Sequence, residues 1–376
     1  MSKRKRSGSN SQLGLGGLVI FLLLSAIVYF LGGDLGGEET AAPPGTDGDG
    51  QITTGPAADW YEIYFTDPTC PPEAEREGGL DETIADDLRQ AQVQVDMAAF
   101  EFNSEPMLEA LIELEERGIP VRVVIDTDYE DESAIARLRR NGISVVTDDR
   151  SALMHNKFLV IDGRYTWVGS MNFTTNGAHC NNNNLVRLDS AQLAQNYITE
   201  LDEMYDDREF GPRSPENTPN EQVTIGGVLV ENYFAPEKEL APIIGDLVNT
   251  AQSEILFMAF SFTIDLIGEP MLERAEAGVS VRGVFETTGS ETEFSYYGDM
   301  QDAGLANLQV RQDGNPRVMH HKVIIIDRQT VVLGSFNFSA SANDNNDENI
   351  VIIHDPTFTS FFVEEFNTVW SEARQE

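Results

Sequence analysis

MHNKFLVIDGRYTWVGSMNFT, from Met154 to Thr174, and MHHKVIIIDRQTVVLGSFNFS, from Met319 to Ser339, are two copies of one pattern. Every matched residue is displaced by 165: His155 to His320, Lys157 to Lys322, Asp162 to Asp327, Gly169 to Gly334, Ser170 to Ser335 and Asn172 to Asn337. The likeness extends upstream. AAFEFNSEPMLEALIELEERGIPVRVVID (98–126) matches AFSFTIDLIGEPMLERAEAGVSVRGVFE (259–286), with Phe100, Gly118 and Arg122 displaced by 160 to Phe260, Gly278 and Arg282. Self-similarity on this scale makes the chain a tandem duplication, joined through the polar stretch 213–222 (RSPENTPNEQ).

Within each copy strands and helices alternate. Val93–Phe100 and Ile255–Phe262 are apolar, β-branched and aromatic runs. Helical stretches follow at Pro106–Arg117 and Pro270–Ala277, with proline in the first turn and glycine just beyond the end. Val121–Ile125 and Val281–Phe285 read as buried strands, and Lys157–Ile161 turns through Asp162-Gly163 into Tyr165–Val168 as a hairpin. A strand and a helix close each copy, Asn184–Leu188 with Gln192–Tyr205 and Asn349–Ile353 with Phe358–Ser371. This alternation predicts an α/β fold in which each copy is an α/β/α sandwich with a mostly parallel or mixed sheet, the two packed about a pseudo-twofold axis.

The composition sets the outer limits. The 376 residues are 41% hydrophobic and 23% charged, which is ordinary globular usage and excludes a disordered, collagen-like or coiled-coil chain. Against 25 Lys and Arg stand 63 Asp and Glu, for a net charge of −38. A field of that sign repels polyanions, so binding of nucleic acid by phosphate neutralisation is disfavoured, and the acidic exterior suits solubility in high salt. Beyond the N-terminal Lys3, Arg4, Lys5 and Arg6, the local basic group Arg137, Arg139 and Arg140 is most simply a solvated helix face.

Only one long apolar run occurs, Leu13–Leu31, preceded by Lys3, Arg4, Lys5 and Arg6 and followed by Asp34. Nineteen residues at about 1.5 Å each cover the hydrocarbon core of a bilayer. The basic flank predicts a cytoplasmic N-terminus with the rest outside. A cleaved signal peptide is the competing reading, and it leaves the folded part on the same side, secreted rather than anchored. The expected organisation is therefore a basic N-terminus (1–12), one transmembrane helix (13–32), a Gly/Pro-rich acidic tether (33–57), a first lobe (58–212), a linker (213–222) and a second lobe (223–376). Cys70 and Cys180 fall beyond the anchor, where a disulfide persists, but their spacing does not decide whether they pair.

The doubled His-x-Lys-x4-Asp and Gly-Ser-x-Asn pattern resembles the phospholipase D superfamily, over roughly residues 58–376. The resemblance implies two α/β/α lobes with one active site at their interface, a motif from each, and makes His155, Lys157, Asp162, His320, Lys322 and Asp327 the catalytic candidates. Ser170, Asn172, Ser335 and Asn337 are the supporting, phosphate-holding candidates. Asp162 and Asp327 have an alternative role as turn formers, and the Ser and Asn residues as backbone caps.

The chemistry is arguable from the side chains alone. Residues i and i+2 of a strand share a face, so each histidine projects with its lysine. Two imidazoles and two ammoniums in one pocket suit a phosphodiester: one histidine attacks phosphorus, the other protonates the leaving oxygen, and the cations hold the non-bridging oxygens. This arrangement requires no metal and no cofactor. His321 lies between His320 and Lys322 and is expected to face the other way in a structural role, while His179 and His354 fall outside the motif.

The copies differ at one telling place. Asp347-Glu348-Asn349 follows the second motif and keeps an acidic residue common in the family, whereas the first copy reads Asn181-Asn182-Asn183-Asn184, with Asn183 where Glu348 stands. If each side chain bonds the imidazole of its own lobe, Glu348 favours a protonated His320 as acid and Asn183 leaves His155 neutral as nucleophile.

The expected reaction is metal-independent hydrolysis of phospholipid head groups, with transphosphatidylation as a variant. The expected partner is a phospholipid in or near a membrane, and no protein partner is obligatory because both half-sites lie in one chain. An extracytoplasmic endonuclease is the alternative, followed by a cardiolipin synthase-like transferase and a non-catalytic phosphate-binding scaffold.

Overall fold

The computed structural model describes residues 53–54 and 59–374. The expected membrane segment and most of the tether lie outside those residues. Among the described residues no helix is long and apolar enough to cross a membrane.

Two eight-stranded mixed sheets carry the fold. The first runs in spatial order β1 (Thr53–Thr54), β2 (Tyr61–Phe65), β9 (Asn184–Asp189), β7 (Tyr165–Gly169), β6 (Lys157–Ile161), β3 (Val95–Ala99), β4 (Val121–Ile125) and β5 (Ser144–Thr147). The second repeats that order as β10 (Gln222–Ile225), β11 (Val228–Ala235), β18 (Glu348–Ile353), β17 (Thr330–Gly334), β16 (Lys322–Ile326), β12 (Glu254–Ala259), β13 (Ser280–Phe285) and β14 (Leu308–Gln312). In each, three strands are parallel (β3, β4 and β5; β12, β13 and β14) and the remaining pairs antiparallel. The duplication read from the sequence is thus repeated strand for strand. The last residues of the expected tether depart from it, since Thr53–Thr54 pairs with Tyr64 and Phe65 as an edge strand.

Three apolar clusters hold the layers. Each sheet buries its outer face under its own helices, with Leu108, Leu111 and Leu138 in the first lobe and Ile244, Ile267 and Met271 in the second. The third cluster is common to both. Phe158, Val160 and Tyr197 of the first lobe share it with Met258, Ile325, Phe358 and Phe362 of the second. Helices Ala191–Asp202 and Pro356–Glu372 line this middle layer. Because that core spans both lobes, neither buries its inner sheet face without the other.

One helix starts earlier than its proline suggested. It runs Asp265–Glu276, with Pro270 inside it. Proline has no N–H for the carbonyl four residues back, that of Leu266. Gly245 of helix Leu240–Asn249 packs against this carbonyl, and a Cβ at 245 would lie 2.2 Å from the Leu266 oxygen. The interhelix contact, not the helix start, accounts for the residue.

Candidate active site

Strands β6 and β16 begin at Lys157 and Lys322, opposite Ala99 and Ala259, the last residues of β3 and β12. This is the carboxyl edge of the parallel strands, where open α/β sheets hold ligands. Both lysines are buried, at 0% and 1% exposure. Lys157 Nζ donates to the His155 carbonyl at 2.8 Å and lies 4.9 Å from the Phe100 ring centroid; Lys322 does the same at 2.9 Å with His320 and 4.8 Å with Phe260. The rings of His155 and His320 meet the same phenylalanines edge-on at 4.7 and 5.0 Å. Each ammonium keeps donors free, since it has three.

The segments just before these strands leave their own sheets and pair with the other lobe. His155 N–H donates to the Asp347 carbonyl and Asp347 N–H to that of Leu153, both at 2.9 Å. Reciprocally, β15 (Val318–Met319) pairs with β8 (Asn181–Asn182), and His320 N–H donates to the Asn182 carbonyl at 2.9 Å. The exchange brings both motifs into one pocket, as the pseudo-twofold arrangement requires.

It also overturns the expected histidine partners. Glu348 Oε2 lies 2.8 Å from Nδ1 of His155, not of His320, and Asn183 Oδ1 lies 3.0 Å from Nδ1 of His320. Each residue serves the imidazole of the opposite lobe, because the crossed segments run alongside the partner sheet. The Asn183 amide is fixed in this sense: its Nδ2 donates to the Gly177 carbonyl, which turns Oδ1 to the ring.

The serines stand one layer back. Ser170 Oγ donates to Asn183 Oδ1 at 3.0 Å and accepts from Asn184 N–H; Ser335 Oγ donates to Glu348 Oε2 at 2.7 Å and accepts from Asn349 N–H. They orient the histidine partners rather than hold phosphate directly. The preceding glycines allow it, since a Cβ at Gly169 or Gly334 would lie 2.3 Å from the carbonyl oxygen of Asn184 or Asn349. Asn172 Nδ2 donates to Glu101 at 3.2 Å, and Oδ1 of both Asn172 and Asn337 is buried without a hydrogen-bond partner. These oxygens are acceptors, so only an O–H or N–H donor would complete them; the expected phosphate-holding role of the two asparagines gains no support from these atoms.

Asp162 and Asp327 are removed from this group, and their reading as catalytic is corrected. They follow the far ends of β6 and β16, about 16 Å along the strand from the lysines. Asp162 accepts the N–H groups of Gln92, Val93 and Gln94, and Asp327 those of Gln252, Ser253 and Glu254. Both are left-handed turn residues, at φ 56° and 50°. They tie the hairpin to the start of β3 and β12.

His321 is structural as expected, between Asn184 at 2.9 Å and Glu365 at 3.1 Å. Further carboxylates escaped notice although the repeat displacement points to them. Asp126 and Glu286, 160 apart, accept the N–H groups of Met154 and Met319, each at 2.7 Å, and so fix the residue before each catalytic histidine.

Electrostatics separate this pocket from a surface cluster. Burial, then the two lysines and the opposite histidine, hold His155 well below the usual histidine range. Burial and the same two lysines do so for His320. Burial brings Lys157 down to about 7 and lowers Lys322, while it raises Glu348 to about 8 against the pull of Lys157 and Ser335. A phosphodiester would restore the charged forms of the lysines and of one histidine.

A protein-family model described as "Cardiolipin synthase, PLD-like domain" matches residues 84–205 and 244–370. A phospholipase D of Rickettsia bellii is 30% identical over 135 residues, 36% of this chain and 66% of that protein. A mitochondrial cardiolipin hydrolase of Xenopus tropicalis is 31% identical over 137 residues, 36% of this chain and 64% of that protein. The matched stretches thus span just under two thirds of these relatives. The crystal structure of a phosphatidylserine synthase from Haemophilus influenzae superposes with a TM-score of 0.61, covering 78% of this chain and 84% of that one at 15% identity, which supports the two-lobed fold. With both halves of the chain matched by the family model and both motifs meeting in one pocket, the protein belongs to the phospholipase D superfamily.

Proposed function

We propose that this chain hydrolyses the head-group phosphodiester of a membrane phospholipid, releasing phosphatidate and the head-group alcohol by way of a phosphohistidine on His155. The carrying observation is the pair of crossed Nδ1 contacts. With Nδ1–H donated to Glu348, His155 turns the lone pair of Nε2 to the substrate. The Nε2–phosphorus bond forms as the bond to the head-group oxygen breaks, and the positive charge left on the ring is compensated by the Glu348 carboxylate. His320, whose Nδ1 faces only a neutral amide, is a stronger acid when protonated and delivers its Nε2 proton to the leaving oxygen. Water then attacks phosphorus, gives its proton to His320 and frees His155. Lys157 and Lys322, which keep N–H donors to spare, hold the non-bridging oxygens. The roles match those expected from sequence, on the opposite ground: the carboxylate marks the histidine that must carry a full charge in the intermediate.

Three observations favour a lipid. The chain carries −38, the run 13–32 is long enough to anchor it beside a bilayer, and relatives are named as phospholipase D and cardiolipin hydrolase. The Cys70–Cys180 disulfide supports an extracytoplasmic site for the catalytic part. The test offers the purified chain phosphatidylcholine vesicles, cardiolipin vesicles and single-stranded DNA in parallel, at low and high salt, with His155→Ala as blank. Release of head group and phosphatidate, absent from the blank, is the expected result. Cleavage of DNA alone would replace the lipid reading with a nuclease.

A further inference from the structure

Apart from the catalytic histidines, where the lobes adjoin, three carboxylates of two lobes converge. Glu200 comes from helix Ala191–Asp202, Glu203 from the π-helical turn Glu203–Asp207 and Glu237 from the loop after β11. One oxygen of each lies within 4.8 Å of the others. Glu200 and Glu203 are 3% and 4% exposed. Asn156 Nδ2 donates to Glu200 Oε1 at 3.1 Å and the Thr218 hydroxyl to Glu237 Oε1 at 3.0 Å. Both oxygens of Glu203 and Oε2 of Glu237 are buried without any hydrogen-bond partner. The nearby ammonium, Lys238, is engaged by Glu216 and Glu221.

The duplication shows that this group is peculiar to the first copy. Displaced by 165, Glu200 becomes Glu365, which has an imidazole partner, His321, at 3.1 Å. In the first copy the place of His321 is taken by Asn156, and the place of Thr368 by Glu203. One potential cation has been lost and one carboxylate added at the same spot. Buried carboxylates without compensation are costly.

We propose that Glu200, Glu203 and Glu237 bind a calcium ion that fastens the first lobe to the second. The donors are all hard oxygens, which select calcium or magnesium over softer metals. Oxygens within 4.8 Å of one another can share one ion at the calcium distance of about 2.4 Å, and calcium, unlike magnesium, is readily held in a flexible cage of protein oxygens. The hydrogen bonds of these carboxylates go to Asn156 and Thr218 rather than to a catalytic histidine, so the role assigned to the ion is structural and independent of the proposed reaction.

The test uses the full chain stripped of metal, in high sodium chloride to screen the diffuse acidic surface. Equilibrium dialysis should find a single tightly held calcium per chain, absent in Glu203→Gln. Calcium at a hundredfold excess over its Kd should raise the melting temperature by roughly 5 °C in the wild type and leave the variant unmoved. The order should invert in chelator, where Glu203→Gln relieves repulsion and melts above the wild type. An equal calcium shift in both proteins, or a variant that melts higher while the wild type binds no calcium, would overturn the site in favour of carboxylates that share protons. Should Glu203→Gln fail to fold, Glu237→Gln and the wild-type stoichiometry decide in the same way.

Discussion

A carboxylate and an amide at matching positions give two otherwise equivalent histidines different work. Glu348 can balance a permanent positive charge on His155, and Asn183 can only orient His320. His155→Ala is therefore expected to abolish turnover of every substrate. His320→Ala should slow an alkoxide leaving group by about 10²–10⁴-fold and largely spare nitrophenolate, which needs no proton. Measured rates on both substrates check this, and equal losses in His320→Ala would contradict it. Asp162→Asn is expected to lower stability by about 1–3 kcal/mol, through lost hydrogen bonds to three backbone N–H groups, and to leave kcat of the folded protein unchanged. A denaturation curve and a rate suffice. At this scale the sequence revealed His155, Lys157, His320 and Lys322, whose spacing alone aims them together. It misassigned Asp162 and Asp327, because a fixed offset in a motif marks a tight turn as readily as a catalytic acid.

Short elements decide which side chains meet. Leu153–His155 and Val318–His320 cross to the other lobe, and that crossing hands Glu348 to His155. Nothing local in the sequence specifies it, since the two histidines lie in equivalent surroundings and differ only in a partner 193 residues away for His155 and 137 for His320. The disulfide was illegible for a related reason: Cys70 and Cys180 are separated by 110 residues and meet because the Cys70 N–H reaches the His179 carbonyl at 2.9 Å. Cys180 directly precedes β8 and Asn183, so the bridge anchors the strand that supports His320. Cys70→Ser should destabilise by about 2–4 kcal/mol. It should also depress alkoxide turnover more than nitrophenolate turnover, through a loosened Asn183. A melting temperature unchanged from wild type would contradict the first expectation, and equal rate losses the second.

The molecule as a whole is built around a core that both lobes share and a set of buried acids. Central strands such as Val121–Ile125 and Val281–Phe285 were legible in both copies, because hydrophobic period and turn residues repeat in each, whereas the order of strands within the sheets was not. The shared middle layer was not, since Tyr197, Phe358 and Phe362 announce only that their helices bury one face. The acids set a pH dependence. Burial raises Asp126 and Glu348 to about 8 and Glu101, Glu286 and Asp347 to about 7. Raised acids bind more protons folded than unfolded between their ordinary range and these values, so their stabilisation is complete at low pH and is lost as pH rises through 7 to 8. His155 and His320, lowered by burial, act in the opposite sense below about 6.5 but are fewer. The melting temperature without calcium should therefore fall between about pH 5 and 7. A rising curve would contradict the buried placement of these groups.

The most direct measurement is a rapid-quench experiment on a phospholipid substrate labelled at phosphorus, with the modified peptide identified by mass spectrometry. The expected result is an acid-labile, base-stable phosphoryl group on His155, formed as fast as the head group is released and absent from His155→Ala. Label on His320 would reverse the two roles, and head-group release without label on either histidine would contradict covalent catalysis at this site.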